Sequence, residues 1–218
     1  PESRISVIYP YVSFGASPQD GEALSTVRDR YRIPERYLLF VGAPHRRKNL
    51  GTLFRAFRIL KDELKVPQGL VLVGPSGWAI KDLLEEIRAL RLGEDVVLTG
   101  FVPDREMSMI YRSADVFVFP SLYEGFGYPP LEAMACGVPV VMSRASSLPE
   151  VGGDAVLYVD PRDPADIAEK VGRILRDPQL SKRLSIAGCD RSADFSMAQT
   201  IRGYLDVYER VIKSSSRA

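Results

Sequence analysis

The 218-residue sequence holds one histidine and two cysteines, and both scarcities remove classes of function. His45 stands alone, and Cys136 and Cys189 lie far apart with no CxxC pair, so neither a metal-ligand constellation nor a disulfide scaffold can be assembled. The two thiols read as reduced packing residues of a reducing compartment, and a lone loop histidine reads as a solvent-exposed bystander rather than a general base. No apolar run approaches the roughly 18 to 20 residues of a membrane-spanning helix, and no charged-then-apolar signal segment opens the chain. Charge of one sign is also lacking: Lys+Arg 29 against Asp+Glu 28 leaves +1, which argues against a nucleic-acid-wrapping protein. Neither a GxxxxGK(S/T) loop nor a GxGxxG after the first strand-like run is present, so NTPase and dehydrogenase readings lose their main support. Fixed-period repeats and low-complexity segments are missing too, which excludes solenoids.

What is present is an alternation. Short apolar runs ending in Gly or Pro alternate with amphipathic stretches of helical length, the pattern of βαβ units around a parallel sheet. Six runs qualify as strands: residues 37–42, 69–74, 96–100, 116–120, 139–143 and 155–159. They are apolar on both pleat faces, as strands covered by helices on both sides must be. Leu50, Leu53, Phe54, Phe57 and Leu60 place one apolar stripe on a helix after the first strand, and Ile80, Leu83, Leu84, Ile87 and Leu90 repeat it. Three more helices are expected over 164–177, 178–190 and 197–213, the first two opening on proline. The opening ISVIYPYVSFGASP reads as a short extended segment and then a polar loop, and residues 214–218 as a frayed tail. The expected fold is α/β: a doubly wound, Rossmann-like parallel sheet of about six strands with additional C-terminal helices.

In such a sheet ligands bind beyond the carboxyl ends of the strands, and three loops there are chemically unusual. GAPHRRKN (42–49) places Arg46, Arg47 and Lys48 before a helix start, with Asn49 as its cap. Residues 28–61 carry ten Arg or Lys against two acids, a local +8 that would favour a phosphate or diphosphate; the bland alternative is a solvated basic face. SLYEGFGYPPLE (121–132) carries Gly125 and Gly127, which let peptide N–H groups face a ligand. Glu124 and Glu132 flank this turn, and both could line one crevice, accepting hydrogen bonds from the hydroxyls of a sugar or ribose. For Glu132 the bland reading is a favourable charge at a helix N-terminus. The third loop, GPSG (74–77) before Trp78, offers a tight turn and the Ser76 hydroxyl. Asp104 and Asp115 read as helix-cap and strand-start residues.

The stretch from Asp115 through Pro149, with FVGAPHRRKNL and VVLTGFVP before it, resembles the signature of glycosyltransferase family 4, retaining enzymes of the GT-B fold. The resemblance implies one half of a GT-B fold, the carboxyl-terminal, donor-binding half, and the opening segment resembles the family's interdomain crossover. The implied division is 1–36 crossover and loop, 37–195 nucleotide-sugar-binding domain, and 196–218 C-terminal helix and tail. It assigns Glu124 to the hydroxyls of the transferred sugar and Glu132 to the nucleotide ribose. Gly125, Phe126 and Gly127 are assigned to the turn lying against sugar and diphosphate, Arg47 and Lys48 to the diphosphate, and Phe101 and Val102 to the nucleobase. Many members carry an arginine where Ala43 stands; Arg46 or nearby backbone would then compensate.

The implied chemistry is metal-independent glycosyl transfer from a nucleotide diphosphate sugar to a hydroxyl acceptor with retained configuration, requiring no cofactor. HRRKNL resembles the variant of mannosyltransferase-like members, which makes GDP-mannose the expected donor. The expected partner is a missing N-terminal Rossmann-like domain, through which any membrane association would come. The expected location is cytoplasmic, or peripheral at the inner membrane face, and the isolated fragment is expected to transfer little. Alternatives are a non-catalytic nucleotide-sugar-binding subunit, or another GT-B enzyme such as a nucleotide-sugar epimerase or a phosphorylase-like glucan enzyme.

Overall fold

Aliphatic runs such as YLLFV and GLVLV can bury both pleat faces only inside a helix-covered parallel sheet, and a computed structural model, describing residues 5–12, 24–75 and 80–215, has that sheet. All six expected strands form: β1 (Tyr37–Val41), β2 (Gly69–Val73), β3 (Val96–Gly100), β4 (Val116–Phe119), β5 (Val140–Ser143) and β6 (Leu157–Val159). Every pairing is parallel and the order is β3-β2-β1-β4-β5-β6. The chain winds outward from β1 to β3, returns to set β4 beside β1, and winds outward the other way. The crevice at this reversal lies beyond the carboxyl ends of β1 and β4, which are the origins of two of the three loops singled out above. Residues 76–79, which hold half of the third loop and Trp78 after it, are outside the described residues.

The helices are α1 (Leu24–Tyr31), α2 (Leu50–Asp62), α3 (Ile80–Ala89), α4 (Asp104–Arg112), α5 (Tyr128–Ala135), α6 (Leu148–Gly152), α7 (Pro164–Arg176), α8 (Pro178–Ala193) and α9 (Met197–Ser215). Their apolar stripes seat them: α2 packs on α7 and α3, and α5 on α8. Asp163 and Asp177 cap α7 and α8 by accepting backbone N–H bonds, and each helix opens on the proline expected there. Two expectations at the ends need correction. The stretch 1–36, read as crossover and loop, contains α1, which places the fully buried Val27 in the core and ties to α4 where Arg30 and Tyr31 both reach the buried Glu106 at 2.6 Å. A mean hydropathy lowered by charged residues hides such a short helix from periodicity. Ser214 and Ser215, read as frayed, belong to the last turn of α9.

In β1 and β4, the Phe119 ring stacks against both Phe40 and Phe117 with centroids 5.7 Å away, and Phe117 meets Tyr111 of α4 at 5.8 Å. This aromatic floor lies directly under the β1/β4 crevice. At its rim, a Cβ on Gly74 (φ +158°) would stand 2.4 Å from the Gly42 carbonyl oxygen, so the backbones after β1 and β2 meet where a side chain is impossible.

Candidate functional site

The chain leaving β1 makes a single 3₁₀ turn, Arg46–Lys48, before α2 begins. His45 shapes it: its Nδ1 accepts the Arg47 backbone N–H at 3.3 Å, so the residue read as a bystander is the cap of the turn. Asn49 behaves differently from expectation. It sits at the N-cap of α2 in the left-handed region (φ 58°) without a side-chain cap bond. Its amide instead donates to the carbonyls of Pro120 at 3.1 Å and Pro161 at 2.5 Å, stapling the loops after β4 and β6 to that after β1. A backbone bond from Leu122 N–H to the Arg47 carbonyl, 2.7 Å, closes the same seam.

The seam brings two loops, remote in sequence, into charge contact. Lys48 Nζ donates to Glu124 Oε1 at 2.7 Å, and Arg47 Nη1 donates to Glu124 Oε2 at 2.6 Å and to the Tyr123 carbonyl at 3.2 Å. Lys48 is 6% exposed, its ammonium 4.5 Å from the Phe119 ring centroid. Burial pulls this ammonium below the usual lysine range, with Glu124 opposing the shift. Burial alone would push the Glu124 carboxyl up, but bonds from Lys48 and Arg47, with the Ser121 hydroxyl beside them, hold it below the usual carboxylate range. That hydroxyl is fully buried and meets hydrogen-bond geometry with no described residue.

Glu132 sits elsewhere. It is half-buried in α5, where the Tyr111 hydroxyl of α4 donates to its Oε2 at 2.8 Å. Burial raises its carboxyl above the usual range, Tyr111 pulling the other way and the charge of Asp104 adding to the rise. Among the described residues, no hydrogen bond or ion pair joins the two glutamates. Phe101 after β3 is 71% exposed, while Val102 beside it is buried in the core. Arg46 is exposed along a cleft between α2 and α3 with Arg55, Asp82 and Glu86, apart from the Glu124 cluster. Phe126 packs its ring among Tyr9, Tyr128 and Phe195 with centroids 5.1 to 6.3 Å away.

Two readings of the sequence change here. The linear excess of +8 is largely cancelled in space: Arg30 pairs with Glu106, Arg36 with Asp115, Arg55 with Glu86, Arg58 with Asp62 and Lys61 with Asp95. Arg47 and Lys48 share the single carboxylate of Glu124, which leaves one positive charge of that pair unbalanced at the crevice. The two glycines also differ. Gly127 (φ +120°) needs its freedom, and a Cβ there would stand 2.8 Å from Leu148, whereas a Cβ on Gly125 would meet nothing within 4 Å.

Residues 146 and 147 went unnoticed in the sequence. Ser146 Oγ accepts the Glu124 N–H at 2.8 Å, and the Ser147 hydroxyl lies 3.0 Å from the Glu124 carbonyl and 2.7 Å from that of Phe126. Serines before a Leu-Pro helix start look like ordinary caps, and no local signal separates the two roles. Among the described residues, no group of three or more His, Cys, Asp or Glu side chains is placed to hold a metal ion.

Fold and site together define a doubly wound α/β domain with a buried lysine, a half-exposed arginine and the carboxylate they share at its switch point. The chain belongs to the family of glycosyl transferases group 1, whose family model matches residues 26–191. It is 36% identical over 211 residues to O-antigen chain mannosyltransferase B of Escherichia coli, covering 94% of this chain and 55% of that protein. It is 33% identical to D-inositol 3-phosphate glycosyltransferase of Thermobifida fusca, covering 94% of this chain and 50% of that one. Among solved structures, sucrose-phosphate synthase from Thermosynechococcus elongatus superimposes with a TM-score of 0.74 at 30% identity, over 87% of this chain and 49% of that one. Anabaena HepE in complex with UDP-glucose shares the fold, with a TM-score of 0.78 at 20% identity over 95% of this chain and 57% of that one. The chain thus spans about half the length of these relatives.

Proposed function

We propose that this chain is the donor-binding half of a retaining, metal-independent glycosyltransferase that moves a sugar from a nucleotide diphosphate sugar, GDP-mannose first, to a hydroxyl acceptor. The observation that carries the reading is the convergence of Lys48 and Arg47 on Glu124 at the β1/β4 switch point. As the glycosyl bond breaks, negative charge develops on the departing diphosphate. Two cations held at the crevice stabilise that charge more strongly than they stabilise the ground state. Glu124 is held ionised and orients hydroxyls of the sugar; Glu132 serves the ribose, the amides of Gly125, Phe126 and Gly127 the diphosphate, and the exposed face of Phe101 the base. The mannosyl donor is supported by the named activity of a relative at 36% identity.

The proposed division is 1–36 crossover, 37–195 donor domain and 196–218 terminal helix and tail, acting from the cytoplasmic side. No helix among the described residues is long and apolar enough to cross a membrane. The proposed partner is the remainder of the same polypeptide, an N-terminal Rossmann-like domain bringing the acceptor. The relatives are about twice the length of this chain, and the surface such a domain would cover is the exposed apolar face of α9, where Ile201, Tyr204, Leu205, Tyr208 and Ile212 are each at least half exposed. Calorimetric titration of the chain with GDP, UDP, ADP and inorganic pyrophosphate tests the reading. Saturable binding of pyrophosphate and a preference for GDP are expected, and no binding of any of the four by the wild-type chain defeats it. In the complete enzyme, Lys48→Ala should slow transfer by roughly a hundredfold.

A further inference from the structure

An anion beside Lys48 needs backbone donors that face it, and helix α5 supplies few. Its second and third residues are Pro129 and Pro130, which have no N–H, and the Leu131 N–H is spent on the Gly127 carbonyl. The donors must come from the turn before the helix, and their direction is set by the carbonyls of the same peptide groups. No peptide bond among the described residues is cis, so each N–H points opposite to the carbonyl one residue earlier. The Ser147 hydroxyl lies within bonding distance of the carbonyls of both Glu124 and Phe126. By gathering those two oxygens to its own side, it turns the N–H groups of Gly125 and Gly127 to the other side. Neither amide donates to a described residue, and the space beside Gly125 is open.

Ser146 completes the arrangement by accepting the Glu124 N–H, so both peptide groups flanking the Glu124 Cα are held by the loop after β5. Two features mark this as more than chance contact. Ser146 takes a left-handed conformation (φ +47°) that a non-glycine residue adopts only at a cost, and Ser147, at the N-cap of α6, makes no cap bond to its own helix.

We propose that Ser147, assisted by Ser146, is a positioning pair that aims the Gly125 and Gly127 amides as the anion-facing donors of this site. It rests on the reading of the site as a diphosphate-binding one. The probes are inorganic pyrophosphate by calorimetry and backbone order parameters by nuclear magnetic resonance, on the 218-residue chain. Ser147→Ala should weaken pyrophosphate roughly tenfold and lower the order parameters of residues 124–127 while those of the sheet stay unchanged. Ser147→Thr, which keeps the hydroxyl, should restore both. Ser146→Gly relieves the strained φ yet removes the acceptor, so it should raise or preserve the thermal midpoint while weakening pyrophosphate, a combination that a purely structural serine would not produce. Wild-type binding that is undiminished in Ser147→Ala, or unchanged order parameters at 124–127, overturns the positioning role. Failure of the wild-type chain to bind pyrophosphate overturns the diphosphate reading, and the proposal with it.

Discussion

The pairing of Lys48 with Glu124 can be measured as a coupling energy. Lys48→Met keeps the methylene stem over Phe119 and beside Gly42 but deletes the charge, leaving Glu124 to Arg47, whose side chain is 42% exposed. A hydrogen bond to a charged group contributes about 1.5–3 kcal/mol, and removing one partner of a buried pair costs about 3–5 kcal/mol. Because Arg47 remains as a partner, the loss should fall below that range, at about 2–3 kcal/mol. Glu124→Gln strands a buried ammonium already pulled down by burial and should cost about 3 kcal/mol. The double variant removes both charges, so its loss should fall short of the sum by about 2 kcal/mol. Urea denaturation at neutral pH reads all four corners of the cycle. The Glu124 carboxyl is held below its unfolded value, so its contribution is fully present above the ordinary carboxylate range and is lost as pH falls through the depressed value. The coupling should therefore vanish in acid. Pyrophosphate gives an opposite-sign check: Lys48→Met should weaken it, while Glu124→Gln, freeing both cations from an internal competitor, should strengthen it about five- to thirtyfold. Additive single-variant losses within about 0.5 kcal/mol, or equal pyrophosphate affinity in the two variants, refute the reasoning.

Other outcomes follow from the same geometry. The Glu132 carboxyl is raised above its unfolded value, so it favours folding below the ordinary carboxylate range and that contribution is lost as pH rises through the raised value; Glu132→Gln should therefore unfold at an equal or higher temperature than wild type at pH 7 while losing nucleotide affinity by calorimetry. Gly127→Ala should destabilise by about 1–3 kcal/mol from its positive φ and the Leu148 contact, whereas Gly125→Ala should fold within about 0.5 kcal/mol of wild type, both read by urea denaturation. Phe101→Ala removes an exposed ring and should leave stability unchanged, yet weaken GDP without weakening pyrophosphate, a split that calorimetry resolves. Equal weakening of the two ligands would place the base elsewhere.

The sheet was legible in the sequence because burial on both faces demands uninterrupted aliphatic runs, and all six runs form strands within two residues of their expected starts. Helices α2, α7 and α8 were legible for a related reason, their stripes and Asp-Pro openings being local. Helix α1 was not, since its one fully buried side chain, Val27, has no period to repeat. Within the site, Glu124, Arg47 and Lys48 could be singled out by residue type and loop position, but nothing local distinguishes Arg46, which turns away to the cleft between α2 and α3. A local count of cations likewise says nothing about acids that arrive from α3, α4 and the strand ends to neutralise them.

Residue order alone therefore determined the βαβ alternation, the switch point it creates and the kind of side chains delivered there, because each depends on neighbours within a few turns or one pleat. Tertiary structure alone decided which charges meet, which glycine needs its freedom and which serines hold the loop. Those depend on the distance between segments some 20 to 77 residues apart, and only the closed packing of β1, β4 and β5 sets that distance.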